Sequence, residues 1–172
     1  TSSVSIETSE ALTPIEAGWI AVMRNVLPAD LNGLCLAPDD WYRGMGMPSS
    51  GGGRCLAWFD LVADECVVLT VGAYFDGTRT VVGRLHSQFL TLDPHGRRIP
   101  QQTIGGPITE QAVKACEWFT RIRRRPVERR DWSSTVHEYR FADDGAGLVA
   151  SGNTASRRRP PHRVVRVDTR VG

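Results

Sequence analysis

Lysine is almost absent from this chain: Lys114 stands alone beside 20 arginines. Arginine is therefore the default surface cation, a bias that a GC-rich coding sequence produces. Such a bias weakens any direct step from an arginine cluster to a nucleic-acid site. Cysteine is scarce as well. Cys35, Cys55, Cys66 and Cys116 fall in no metal-ligand spacing and lie in or beside apolar runs, so reduced, mostly buried thiols are expected. The four histidines, His86, His95, His137 and His162, form no pair at zinc-ligand spacing, and no metal or other cofactor is read from them. The longest apolar run, from Cys66 to Phe75, is broken by Thr70 and is too short to span a bilayer. The opening TSSVSIETSE carries no basic-then-apolar leader pattern. Together these absences give the expectation of a cytoplasmic protein without membrane contact.

Catalytic signatures are missing too. No serine sits in a G-x-S-x-G elbow. The glycines from Gly44 to Gly53 are followed by Arg54 and a strand pattern, whereas a P-loop needs Lys-Ser/Thr and a helix after its glycines. Asp39-Asp40 and Asp143-Asp144 are adjacent carboxylates in turn contexts, where aspartate serves the backbone. The chain is read as a binding protein rather than an enzyme.

What is present is an ordinary globular composition, 41% hydrophobic and 23% charged over 172 residues, enough for one domain with a real core. The net charge of +2 hides an asymmetry. Residues 1–91 hold 5 arginines against 10 carboxylates, a net −5, and residues 92–172 hold 16 cations against 9 carboxylates, a net +7.

The pattern predicts an α+β fold. An antiparallel β-sheet, a three-strand meander plus a C-terminal hairpin, carries two amphipathic helices packed on one face. Residues 1–12 are expected as a flexible tail, 13–150 as a single domain and 151–172 as a basic C-terminal tail, within which 164–167 can add an edge strand. Thr13-Pro14-Ile15-Glu16 is a capping-box start, with Ile15, Trp19, Val22, Met23 and Val26 on one helical face. Residues 29–53 read as a long connection. In the meander, Cys55, Ala57 and Phe59 face one side. The strand at Cys66 is apolar on both faces, and Asp76-Gly77 makes a hairpin turn. On the third strand Val81, Leu85 and Phe89 read as core, with Val82, Arg84, His86 and Gln88 on the other face. A second helix begins near Thr109, with Ala112, Ala115, Cys116, Trp118, Phe119 and Ile122 inward. Its arginine-rich last turn complements the helix dipole.

Three functional expectations follow. The first is a binding or adaptor protein that meets a protein partner, or itself, through Arg84, His86 and Gln88 or through Trp41 and Tyr42. The second is DNA or RNA binding through Arg121, Arg123, Arg124, Arg125, Arg129 and Arg130 with Arg157, Arg158 and Arg159, Trp118 and Trp132 being available for stacking. Its structural counterpart is ion pairing of those arginines with Glu117, Glu128 and Asp131. The third is an enzyme whose pocket assembles on the sheet face around His86. His137 shares a strand face with Tyr139 and Phe141 and is read as packed.

Overall fold

A computed structural model describes residues 12–37, 53–86, 90–93 and 99–172. Trp41, Tyr42, Gln88, Phe89, His95 and the glycine-rich stretch before Gly53 lie outside the described residues.

The chain begins with helix α1 (Pro14–Val26). Thr13 accepts the Glu16 amide at 3.2 Å, and the Glu16 carboxylate accepts the Thr13 amide at 2.9 Å, closing the capping box. Its buried face is Glu16, Trp19, Ile20 and Met23. Ile15 and Val26, expected inward, are 50% and 38% exposed. The inward stripe is centred on Trp19 and Ile20, and both terminal residues fall off it.

A short strand β1 (Cys35–Leu36) leads to the long β2 (Arg54–Ala63), β3 (Cys66–Phe75) and β4 (Thr80–His86). Then follow β5 (Thr91–Leu92), β6 (Gln102–Ile104) and helix α2 (Ile108–Arg124). The chain finishes with β7 (Val127–Asp131), β8 (His137–Phe141), β9 (Gly147–Ser151), β10 (Arg163–Val167) and β11 (Thr169–Val171). The architecture is α+β with antiparallel pairing throughout. Seven strands form one sheet, β1-β2-β3-β4-β5 with β11 on β2 and β6 on β4, and four form a second, β10-β7-β8-β9.

Residues 151–172, expected as a basic tail, are built into both sheets. β10 pairs with β7 and β11 with β2, so the last strands carry the chain from one sheet to the other across Asp168. Val167 and Val171 pack against the main core, which anchors this stretch.

Two registers differ from simple alternation. A bulge between Cys55 and Ala57 puts Cys55 opposite Tyr74, on the face of Trp58 and Asp60 rather than that of Ala57 and Phe59. On β4, Thr80, Val82 and Arg84 stand opposite Phe75, Ala73 and Val71, all buried in the main core. The face expected to be polar is therefore the principal core face. Val81 and Leu85 lie on the opposite side, where Leu85, Cys55 and Tyr74 form a smaller cluster with Trp58, Leu90 and Leu92. Thr80 and Arg84 are admitted to the core side because each finds a specific partner there. Gly72 and Gly83 face each other on the outer side, and a Cβ on Gly72 would come within 2.4 Å of Leu85 Cδ1.

Both helices and the second sheet contribute to one core on the inner face, among them Trp19, Phe59, Phe119, Tyr139 and Phe141. A polar chain crosses it. Trp19 Nε1 donates to Thr80 Oγ1 at 3.1 Å, and Thr80 Oγ1 donates to Gln111 Oε1 at 2.8 Å. Gln111 Nε2 then donates to the carbonyls of Thr78 and Gly106, both at 2.8 Å. The Thr80 hydroxyl and the Gln111 amide are thereby fully engaged, as buried polar groups require.

Candidate functional site

Arg84 is half-buried and its guanidinium is committed within the fold. Its Nη2 donates to the Leu148 carbonyl at 2.8 Å, tying β4 to β9. His86 is exposed at the end of β4, its Nε2 3.7 Å from Asp93 Oδ1. The structure thus puts Arg84 and His86 to different uses, one between the sheets and one at the surface.

The arginine set divides sharply. Arg123 reaches β11, donating to Thr169 Oγ1 at 3.1 Å and to the Thr169 carbonyl at 2.8 Å. Arg124 pairs with Asp30 at 2.9 Å and holds that carboxyl below its ordinary range. Arg125 lies 3.7 Å above the Phe141 ring and pairs with Asp143 at 2.6 Å and Asp144 at 2.7 Å. Arg129 pairs with Asp131 at 2.7 Å, and Arg130 with Glu128 at 2.8 Å. Those two carboxylates match the ion-pair reading; Glu117 forms no ion pair among the described residues. Arg121, Arg158 and Arg159 have no carboxylate within 4.0 Å among the described residues, and the Arg157 guanidinium donates to the Thr154 hydroxyl at 3.1 Å. Neither tryptophan is open for stacking. Trp118 packs edge-on against Phe119, and Trp132 is buried with its N–H donated to the Arg159 carbonyl at 2.5 Å.

Arg121 marks the most site-like geometry. It stands on the exposed side of α2 between two open grooves. One, of about 580 Å³, runs between α2 and residues 99–102, with Ile99, Pro100, Trp118 and Ile122 as its apolar lining and Arg121 and Arg125 along it. The other, of about 440 Å³, lies between the end of α1 and α2, lined by Val26, Pro28, Val113, Cys116 and Thr120 with Glu117 and Arg121. Both volumes fall in the range of side-chain and small-ligand pockets. The first groove has one usable signal in the sequence: Trp118 extends the buried stripe toward the arginines. The 99–102 wall carries none.

A second constellation looks catalytic by composition. Asp131, His137 and Ser151 stand in one row across β7, β8 and β9. The Ser151 hydroxyl lies 3.1 Å from His137 Nδ1 and 3.1 Å from the Thr135 carbonyl. A hydroxyl carries one proton. When it goes to Thr135, His137 must be the donor toward Ser151 and is not a base. Asp131 is occupied by Arg129 and makes no ion pair with His137 among the described residues. The row lacks the base–orienter link that nucleophile activation needs.

Of the thiols, Cys55 and Cys116 are buried as expected, whereas Cys35 and Cys66 are exposed at strand ends. Burial pushes Cys55 up to about 12, and desolvation raises Cys35 and Cys116 above the ordinary thiol range. Among the described residues, no three His, Cys, Asp or Glu side chains gather as a metal site, and no helix is long and apolar enough to cross a membrane. The chain matches no protein-family model, no curated protein and no solved structure with which it was compared.

Proposed function

We propose that this is a binding or adaptor protein without catalytic activity, working in the cytoplasm, and that it meets a partner protein through the grooves flanking Arg121. The observation that carries the reading is Arg121 itself: an exposed guanidinium, with no carboxylate within 4.0 Å among the described residues, on the ridge shared by two apolar grooves. A partner segment that places a carboxylate beside a bulky apolar side chain satisfies both features at once. Arginine suits that role because its planar fork binds carboxylate bidentately while its stem covers apolar surface. The four cysteines, all held as thiols, support a reducing compartment. The broken Ser151–His137–Asp131 row favours binding over turnover.

Peptide selection against the full chain tests this reading. Peptides pairing Asp or Glu with Leu, Ile, Phe or Trp are expected to be enriched, and Arg121→Glu is expected to turn the charge preference toward Lys and Arg. Arg121 has no described partner to lose, so the variant should melt with the parent. Selection of the same acidic peptides by Arg121→Glu would refute the assignment.

A further inference from the structure

We propose that the basic edge running from Arg157 to Arg166 binds the phosphate backbone of duplex nucleic acid without reading its sequence. The site is separate from the Arg121 grooves. It rests on how this chain distributes its carboxylates rather than on how many arginines it has.

Seven of the thirteen described arginines in residues 92–172 are given a partner of this kind: Arg123 the backbone and hydroxyl of Thr169, and Arg124, Arg125, Arg129, Arg130, Arg140 and Arg170 a carboxylate. Arg158, Arg159, Arg163 and Arg166 have no carboxylate within 4.0 Å among the described residues. Residues 151–172 hold six arginines and one carboxylate, Asp168, a net +5 before His162 is counted. A compositional bias toward arginine accounts for the abundance of these groups. It does not account for Arg163 and Arg166 standing in register with Asp131 and Glu128 yet forming no ion pair within 4.0 Å among the described residues, because those two carboxylates go to Arg129 and Arg130.

The charges are also held in place. Ser156–Arg158 forms a 3-10 turn, pinned where Trp132 Nε1 donates to the Arg159 carbonyl at 2.5 Å. The His162 amide donates to the Asp131 carbonyl at 2.8 Å, and β10 then runs along β7 as the outer strand of its sheet. At roughly 3.3 Å per residue the seven steps from Arg159 to Arg166 span at most about 23 Å. About seven base-pair steps at 3.4 Å cover the same length. Arg163 and Arg166 project from opposite faces of the strand, so they flank a backbone laid along the edge rather than point together into a base edge. Trp132 is buried with its N–H committed, so no indole is offered for stacking at this edge. Backbone contact to a duplex is what remains.

The test is fluorescence anisotropy of the full chain with a 12-base-pair DNA duplex of mixed sequence, titrated from about 50 to about 200 mM salt. Five phosphate contacts predict a log–log slope near −4.5, an affinity loss of about 500-fold over that range. Arg163→Gln with Arg166→Gln removes two, lowering the slope to near −2.7 and the loss to about 40-fold. Arg158→Gln with Arg159→Gln should do the same. Arg124→Gln, whose guanidinium is already committed to Asp30, should leave the slope unchanged. A second duplex of unrelated sequence should bind equally. Absence of binding at the lowest salt, an unchanged slope in both paired variants, or an equal drop from Arg124→Gln would each overturn the proposal. So would tighter binding to vesicles of anionic lipid than to the duplex.

Discussion

Replacing Thr80 by valine exchanges one hydroxyl for a methyl group at nearly constant volume, in a side chain that is 0% exposed. Two hydrogen bonds vanish: the one Trp19 Nε1 donates at 3.1 Å and the one Gln111 Oε1 accepts at 2.8 Å. Both partners are fully buried, so neither is re-solvated. An orphaned buried polar group costs about 1–3 kcal/mol, and two of them cost roughly 2–6 kcal/mol before the added methyl returns about 1 kcal/mol. The expected net loss is about 1–5 kcal/mol, a large fraction of the ~5–15 kcal/mol that holds a domain together. At about 2–4 °C per kcal/mol for a chain of this length, Tm should fall by roughly 2–20 °C. Urea denaturation should show a lower midpoint at unchanged m-value. Thr80→Ser is the control. It keeps the hydroxyl and both bonds and loses only a buried methyl, about 1 kcal/mol. Adding Trp19→Phe to Thr80→Val should cost less than Trp19→Phe alone, because the indole N–H is already unpaired; the coupling should be about 0.5–3 kcal/mol. If Thr80→Val proves no worse than Thr80→Ser, the polar chain across the core is not a stabilising element and the reasoning fails.

Three further outcomes are expected. Asp64 and Glu65 form the two-residue turn between β2 and β3 with φ of 48° and 61°, and a glutamate gains nothing from the left-handed region. Glu65→Gly should therefore stabilise by about 1 kcal/mol in chemical denaturation despite losing the exposed contact to Arg170. Gly72→Ala should destabilise by about 1–3 kcal/mol, because the new Cβ would meet Leu85 Cδ1 at 2.4 Å and the Ala57 carbonyl at 2.9 Å; a neutral result would show that Leu85 repacks freely. Asp76 accepts the amides of Arg79 and Thr78 and the Thr78 hydroxyl, which lower its pKa from 3.8 to about 2. A folded-state pKa below the unfolded one means stability present above pH 3.8 and lost as pH falls toward 2; Asp76→Asn should flatten that limb of a pH–stability curve, and an NMR titration of Asp76 midway near 3.8 would contradict it.

Local signals read well from the sequence and long-range ones did not. The Thr13–Glu16 capping box, the Asp76-Gly77 turn and the inward stripe of α2 depend on residues within a turn or two of one another, and each formed as its spacing indicates. The errors share one physical origin. Thr80 and Gln111 look like surface residues until Trp19, 61 positions from Thr80, supplies the third member of their chain. Arg84 lies toward the core only because the Leu148 carbonyl, 64 positions on, receives it. That one pairing, with Thr80's, reverses the apparent inside and outside of β4. The bulge after Cys55 shifts a face by one residue without a glycine or proline to announce it. For the arginines the difficulty is sharper still. Whether a guanidinium is neutralised is a property of its neighbours in space, and Arg124 and Arg121 are indistinguishable in a helical pattern.

The two sheets are bound into one unit, and this governs how either surface can be probed. Asp64, at the β2–β3 turn, accepts the Tyr139 hydroxyl at 2.8 Å and lies 3.4 Å from Arg129, joining the first sheet to the second. Burial and the neighbouring Asp64 raise Tyr139 to about 12, so this hydroxyl stays a donor throughout the neutral range. Arg84 makes a second tie through Leu148, and β10 and β11 make a third through the chain itself. A core shared by both helices and both sheets should then unfold as one. Substituting Arg84, Arg123 or Arg129 would loosen the whole domain and abolish any binding indirectly. Arg121, Arg163 and Arg166 carry no such tie among the described residues. At those positions a change in binding at constant stability reports the surface itself, which is why the arginines that hold nothing together are the informative ones.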